Sequence, residues 1–197
     1  MLKYKVGDLI KAGLSGEVNV IGHGCNCFNT MKSGIAPLIA KAFPEAWEAD
    51  QATRRGDRAK LGTISEAFIG DQLLVFNLYS QYTFTGRREG KMDLDYEALG
   101  SALEMMAESL HAKCFILDMD IQDIHIGLPK IGAGLAGGDW AIIEPMIEKH
   151  LGHFDTSIFL AIDILVLVII LERLRTTRMR SRISLQFFDP FLESFHL

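Results

Sequence analysis

Apolar positions along the first 163 residues follow two alternating rhythms, short dense or every-second runs and longer stretches repeating every three to four residues. Val18 to Ile21 is short, apolar and β-branched, as a buried strand requires. Ser33 to Thr53 carries Ile35, Leu38, Ile39, Ala42, Phe43 and Ala46 at helical spacing. Pro37 lies near its start, where proline is tolerated, and Pro44 predicts a break. Leu61 to Ile69 alternates as a strand, Gly70-Asp71 turns the chain, and Leu73 to Tyr79 is a second apolar strand. Asp95 to His111 predicts a helix with Leu99, Leu103, Met106 and Leu110 on one stripe. Ile121 to Leu128 reads as a strand, Ala141 to Leu151 as a helix and Ser157 to Ile162 as a closing strand. Strands alternating with helices imply an α/β fold whose sheet is covered on both faces.

The pattern changes near residue 163. Residues 1–163 hold all 18 glycines and every lysine, whereas residues 164–197 hold neither but carry Arg173, Arg175, Arg178, Arg180 and Arg182. The first part stands at −7 and the second at +2, so the expectation is one domain, 1–163, with a tail of different origin, 164–197. Even counted from Ile158, the apolar run to Leu171 is 14 residues, short of the ~20 that span a bilayer, which argues against a membrane anchor. The 197 residues are 49% apolar with net charge −5, an ordinary globular composition that excludes disordered and collagen-like chains. Mild acidity argues against a direct nucleic-acid groove. Cys25, Cys27 and Cys114 cannot build a disulfide framework and no signal peptide opens the chain, so a cytoplasmic location is expected.

Two junctions between strand and helix carry candidate chemistry. His23-Gly24-Cys25-Asn26-Cys27-Phe28-Asn29 leads through Ser33-Gly34-Ile35 into a helix. Asparagine amides both donate and accept, which suits sugar hydroxyls, and small residues at a helix start let backbone N–H groups approach an anion. The same residues also fit a turn in which Ser33 caps the helix. Gly127 to Trp140 is the second junction, with Gly132, Gly134, Gly137 and Gly138 in its loop suited to wrapping amides around phosphate. It lacks the Gly-Lys-Ser/Thr of a P-loop and the GxGxxG spacing of a dinucleotide fold. Asp139 fits a helix cap. Cys25 and Cys27 lack zinc-finger spacing, and neither a metal nor another cofactor is expected.

Taken together, His23 to Asn29 with Gly34-Ile35-Ala36, and Leu128 to Trp140, resemble the macro domain. The likeness is greatest to its branch of bacterial and phage proteins and the yeast-type ADP-ribose 1″-phosphate phosphatase. Val6-Gly7-Asp8-Leu9 resembles the family's Gly-Asp-Ile/Leu element, and Asn77 to Tyr82 resembles a strand-end motif of the same branch. The resemblance spans roughly residues 1–162. It implies a three-layer α/β/α sandwich with a mixed, mostly parallel sheet that binds ADP-ribose. By position, Asp8 would accept from the adenine amino group, with the Leu9 backbone beside the ring. Asn26 and Asn29 would lie at the distal ribose. Ser33, Gly34 and Ile35, with Gly132, Ala133, Gly134 and Leu135, would give amides to the phosphates.

Two departures matter. The branch that removes ADP-ribose from carboxylates or DNA bases has a lysine where Tyr79 to Gln81 stand here, and an acid where Ala136 stands. His23 does match a histidine of the yeast-type phosphatase. The resemblance therefore implies a metal-independent hydrolase releasing phosphate from ADP-ribose 1″-phosphate, more than a glycohydrolase. Asn29 would orient the terminal ribose, and His23 or Asp139 would handle protons or water. The alternatives are a non-catalytic reader of ADP-ribose or ADP-ribosylated macromolecules, and a nucleotide-binding α/β domain of another specificity.

Overall fold

The computed structural model describes residues 1–161; the apolar run from Ile164 and the arginine-rich tail, 164–197, lie outside the described residues. Six strands form one sheet: β1 (Lys3–Val6), β2 (Val20–Asn26), β3 (Ile64–Ile69), β4 (Leu73–Gln81), β5 (His125–Pro129) and β6 (Asp155–Leu160). Their order is β1-β6-β5-β2-β4-β3. Neighbours are parallel except β3, which folds back on β4. The turn between them uses Gly70 at φ 55°, a left-handed conformation glycine adopts without a Cβ penalty.

Successive residues of the central strands face opposite layers. Val20, Leu74, Phe76, Ile126 and Leu128 pack under α4 (Tyr96–Leu117) and α5 (Trp140–Leu151). Ile21, Val75 and Phe159 pack under α1 (Leu9–Leu14), α2 (Ala36–Ala42) and α3 (Pro44–Gln51). The sheet thus lies between two helical layers, the sandwich the alternating pattern implies. Phe43, at φ −132°, separates α2 from α3 where Pro44 was expected to interrupt the helix.

Several boundaries differ from expectation, each for a tertiary reason. β2 continues through Gly22 and Gly24 to Asn26 instead of breaking at the glycines. A Cβ on Gly22 would stand 2.8 Å from Leu128 Cδ2 and 3.2 Å from Leu78 Cδ1, so glycine here admits neighbours instead of ending the strand. α4 runs to Leu117, past the apolar stripe, and stops at Asp118 in a left-handed C-cap, φ 53°. Ile121–Asp123 is a 3-10 turn, and the strand starts only at His125. Lys3–Val6 and Leu9–Leu14, which showed no clear pattern, form β1 and α1. Among the described residues, no helix is long and apolar enough to cross a membrane.

Candidate functional site

The carboxyl ends of β2 and β5, adjacent parallel strands, open into the two loops, which is where open α/β sheets take ligands. The first loop joins β2 to α2 and the second joins β5 to α5. They adjoin: a Cβ on Gly34, itself at φ 61°, would lie 3.8 Å from Leu135 Cδ1.

The second loop is shaped by its own backbone. Gly132 and Gly137 adopt φ 74° and 79°. Ala133 N–H donates to Lys130 O (3.3 Å), Gly137 N–H to Gly134 O (3.1 Å) and Gly138 N–H to Gly132 O (2.9 Å). The Asp93 and Leu94 amides hold the loop from outside by donating to Ala136 O at 3.0 and 3.1 Å. Among the described residues, the N–H groups of Gly132, Gly134, Leu135 and Ala136 donate to no protein acceptor. Gly134 and Leu135 are also exposed, so the loop offers a series of uncommitted donors of the kind that receives anionic oxygens. Gly134 is not strained and has open space around it. The positive-φ requirement falls on Gly132 and Gly137.

The first loop begins where the β2–β4 register shifts between Cys25 and Asn26, a bulge that redirects the chain. Side chains shape it. Asn26 Nδ2 donates to Thr30 O (3.0 Å) and Oγ1 (2.8 Å), and its Oδ1 accepts the Phe28 N–H at 2.9 Å. Asn29 sits at φ 55°. Its Nδ2 donates to Asp50 O, to Thr53 O (3.2 Å) and to Thr53 Oγ1 (3.0 Å), while its Oδ1 accepts from Lys60 Nζ at 3.0 Å. Both amides therefore have protein partners, and a ribose reaching either NH₂ group must displace a bond already made. Beyond them the N–H groups of Ser33, Gly34 and Ile35 find no acceptor among the described residues. Ser33 is exposed, and it does not cap α2, whose N-cap Ile35 has no side-chain cap bond.

Beneath this loop lies a polar cluster that the sequence pattern did not single out. Asp50 and Lys60, buried to 1% and 7% exposure, stand 3.7 Å apart. Tyr79 Oη donates to Asp50 Oδ1 at 2.9 Å and meets Ser65 Oγ at 2.9 Å. Burial pushes the Asp50 carboxyl up, against the pull of Tyr79 and Lys60. One signal was present: Ile39, Phe43, Ala46 and Asp50 fall on one helical stripe, so the apolar face ends on a carboxylate. Lys60 lies outside any periodic segment and gave none.

His23 lies in the core. It is fully buried in β2, and its Nε2–H donates to Asn77 Oδ1 at 2.7 Å. Burial lowers its pKa to about 4, only partly offset by Asn77, so the ring is neutral near pH 7. The β2–β4 pairing and the layer of α3 leave the ring with no exposed face. Asp139 is exposed and caps α5, accepting from Ala141 N–H at 2.9 Å, while its own N–H donates to Tyr96 Oη at 2.8 Å. Asp8 likewise caps α1 through Oδ1, from Ile10 N–H (2.8 Å) and Lys11 N–H (3.3 Å), which leaves Oδ2 uncommitted among the described residues. It lines an open depression of about 430 Å³ shared with Lys5, Lys11 and Phe159. Leu9 is buried between α1 and the sheet. Cys25 and Cys27 are buried, and burial raises both thiols, so neither is poised as a thiolate.

No family model matches the chain. The uncharacterized 17.5 kDa protein in the tk-vs intergenic region of Enterobacteria phage T4 is 35% identical over 154 residues, covering 76% of this chain and 90% of that protein. An ADP-ribose 1″-phosphate phosphatase of Debaryomyces hansenii is 29% identical over 167 residues, covering 76% and 93%. The macrodomain of Mycobacterium tuberculosis DarG superposes with a TM-score of 0.62 at 17% identity, over 81% of this chain and 97% of that one. The chain belongs to the macro-domain family. Both loops of this macro domain fall inside the described unit, Met1–Ala161.

Proposed function

We propose that this macro domain binds ADP-ribose across the two loops and hydrolyses an ADP-ribose derivative, ADP-ribose 1″-phosphate first among them. The observation that carries the reading is the meeting of two sets of uncommitted amides, Ser33 to Ile35 and those of Gly132, Gly134 and Leu135, at Gly34 and Leu135. Residues 1–163 carry a charge of −7, so they suit a diphosphate through oriented backbone dipoles rather than lysines. The yeast relative's named activity supports the choice of substrate. In this reading Asp8 Oδ2 accepts from the adenine amino group, and the Asn26–Asn29 segment faces the distal ribose. His23 supports β2 from within the core, and Asp139 acts as a helix cap. The domain is proposed to end at Asp163, in the cytoplasm, with 164–197 as an appendage not needed for binding.

A second reading, a binder of ADP-ribose without turnover, is favoured by one specific observation. The two groups expected to move protons, His23 and Asp139, are respectively buried and engaged as a cap. One experiment separates the two: incubate pure protein with ADP-ribose 1″-phosphate and with ADP-ribosylated protein, measuring released phosphate, released ADP-ribose and calorimetric binding. Phosphate release at catalytic protein concentration supports the hydrolase; tight binding with no product supports the reader. No binding of ADP-ribose at millimolar concentration would sink both.

A further inference from the structure

The chain buries a lysine directly beneath the first loop. Lys60 ends the 3-10 turn Arg58–Lys60, which Asp57 caps through Ala59 N–H at 3.0 Å. Gly62 N–H donates to Tyr79 O at 2.9 Å and pins this turn to β4. Gly56 N–H donates to Cys27 O at 2.7 Å and pins the preceding connector to the loop. Between these two clamps Lys60 Nζ donates to Thr53 Oγ1 (2.6 Å) and Asn29 Oδ1 (3.0 Å), 4.2 Å from the centre of the Tyr79 ring. Asp50 balances its charge at 3.7 Å. Four separate segments, the first loop, α3, the connector and β4, therefore converge on one ammonium group.

An ion pair buried this deeply contributes little net stability compared with apolar side chains of the same volume, because desolvation offsets the attraction. What it does supply is direction. The ammonium only donates, so an oxygen must face it, which fixes Asn29 with Oδ1 inward and Nδ2 on the carbonyls of Asp50 and Thr53. Asn29 itself stands in the left-handed region, φ 55°, which asparagine adopts more readily than other non-glycine residues.

We propose that Lys60 is the positioning residue of the first loop: it locks Asn29 and so sets the path on which the Ser33 to Ile35 amides meet the ligand. The lock is a property of the free protein; its effect on binding rests on the ADP-ribose reading given above.

The test uses the full chain with Lys60→Met, which keeps a comparable stem and removes the ammonium, and the milder, isosteric Thr53→Val. The Asn29 side-chain NH₂ resonances are followed in the ligand-free protein, with ADP-ribose affinity by calorimetry and thermal melting alongside. In both variants the Asn29 NH₂ pair is expected to move toward free-amide positions and exchange faster with water. Affinity is expected to fall by about tenfold to about a hundredfold in Lys60→Met, the scale on which small misplacements act, and by less in Thr53→Val. A lysine that only stabilised the fold would lower the melting temperature and leave the affinity of the folded protein unchanged; that result overturns the proposal. So do unmoved Asn29 signals in folded Thr53→Val, which keeps the test decisive if Lys60→Met does not fold. Wild-type protein that ignores ADP-ribose overturns the function proposed above, and the Asn29 signals then still decide the lock.

Discussion

The first and second loops leave adjacent parallel strands and both present uncommitted amides, yet opposite means hold them. The first is braced by side chains drawn from distant segments: Asn26 on Thr30, and Asn29 on Asp50, Thr53 and Lys60. The second is held by conformation, with Gly132 and Gly137 left-handed and its bonds almost all backbone to backbone. A loop braced by side chains can be loosened one partner at a time and is coupled to whatever carries those partners. A loop braced by glycines depends on the absence of atoms, so adding a Cβ at a strained position disrupts the whole turn while adding one elsewhere costs almost nothing.

The largest expected effect is at Gly132. A Cβ there would lie 3.0 Å from both Leu94 methyls, at φ 74°. Gly132→Val should cost about 2–4 kcal/mol in denaturant unfolding, from backbone strain and overpacking together, and abolish ADP-ribose binding. An unchanged midpoint would remove the glycine-based account of the second loop.

Next comes the core beneath the first loop, read through pH. Burial holds His23 at about 4, below its ordinary 6.5. The unfolded chain takes up a proton on this ring between pH 6.5 and 4 that the folded chain does not, so stability rises with pH across that window. This contribution is fully present above pH 6.5 and lost as the pH falls to 4, about 3 kcal/mol in all. His23→Gln should flatten the curve relative to wild type, because burial pushes Asp50 up in both proteins alike. Parallel curves for the two would mean that His23 titrates normally.

Smaller still is Asp139→Ala, the loss of one helix cap, at ~1 kcal/mol of stability. ADP-ribose affinity and any phosphate release should stay at wild-type levels. Lost turnover at retained affinity would restore Asp139 to the chemistry.

Smallest in stability is Gly134→Val, where nothing lies within 4 Å of the added Cβ. The fold should change by less than ~0.5 kcal/mol. Binding should nonetheless fall, since the side chain covers amides proposed to meet the phosphates. A variant with native circular dichroism and native affinity would show that this part of the loop does not touch the ligand.

Much of the fold was legible because periodicity reports local geometry. The strand ending at Ile69, which starts at Ile64 and not at Leu61, the Gly70-Asp71 turn and the stripe of α4 were all visible in the pattern. The glycine loop was legible because its residues specify their own turns. The asparagines were legible as a motif but not in their orientation, since Asn29's partners lie 21 to 31 residues away. His23 is the sharpest case. Its neighbours in sequence are Gly22, Gly24 and Cys25, which read as an open loop, whereas pairing with Phe76 to Tyr79 of β4 carries the strand through them.

The sequence by itself determined the alternation of strands and helices, the break at Pro44, the cap at Asp139, and the two loops as the places where amides stay free. Those features depend on residues within a few positions of one another. Only the tertiary structure decided that His23 is enclosed, that Asn29 faces inward, and that Lys60 and Asp50 meet beneath the first loop. Burial and ion pairing are properties of neighbours brought together by the sheet, and a charge carries no mark in the chain of whether water or a buried partner will surround it.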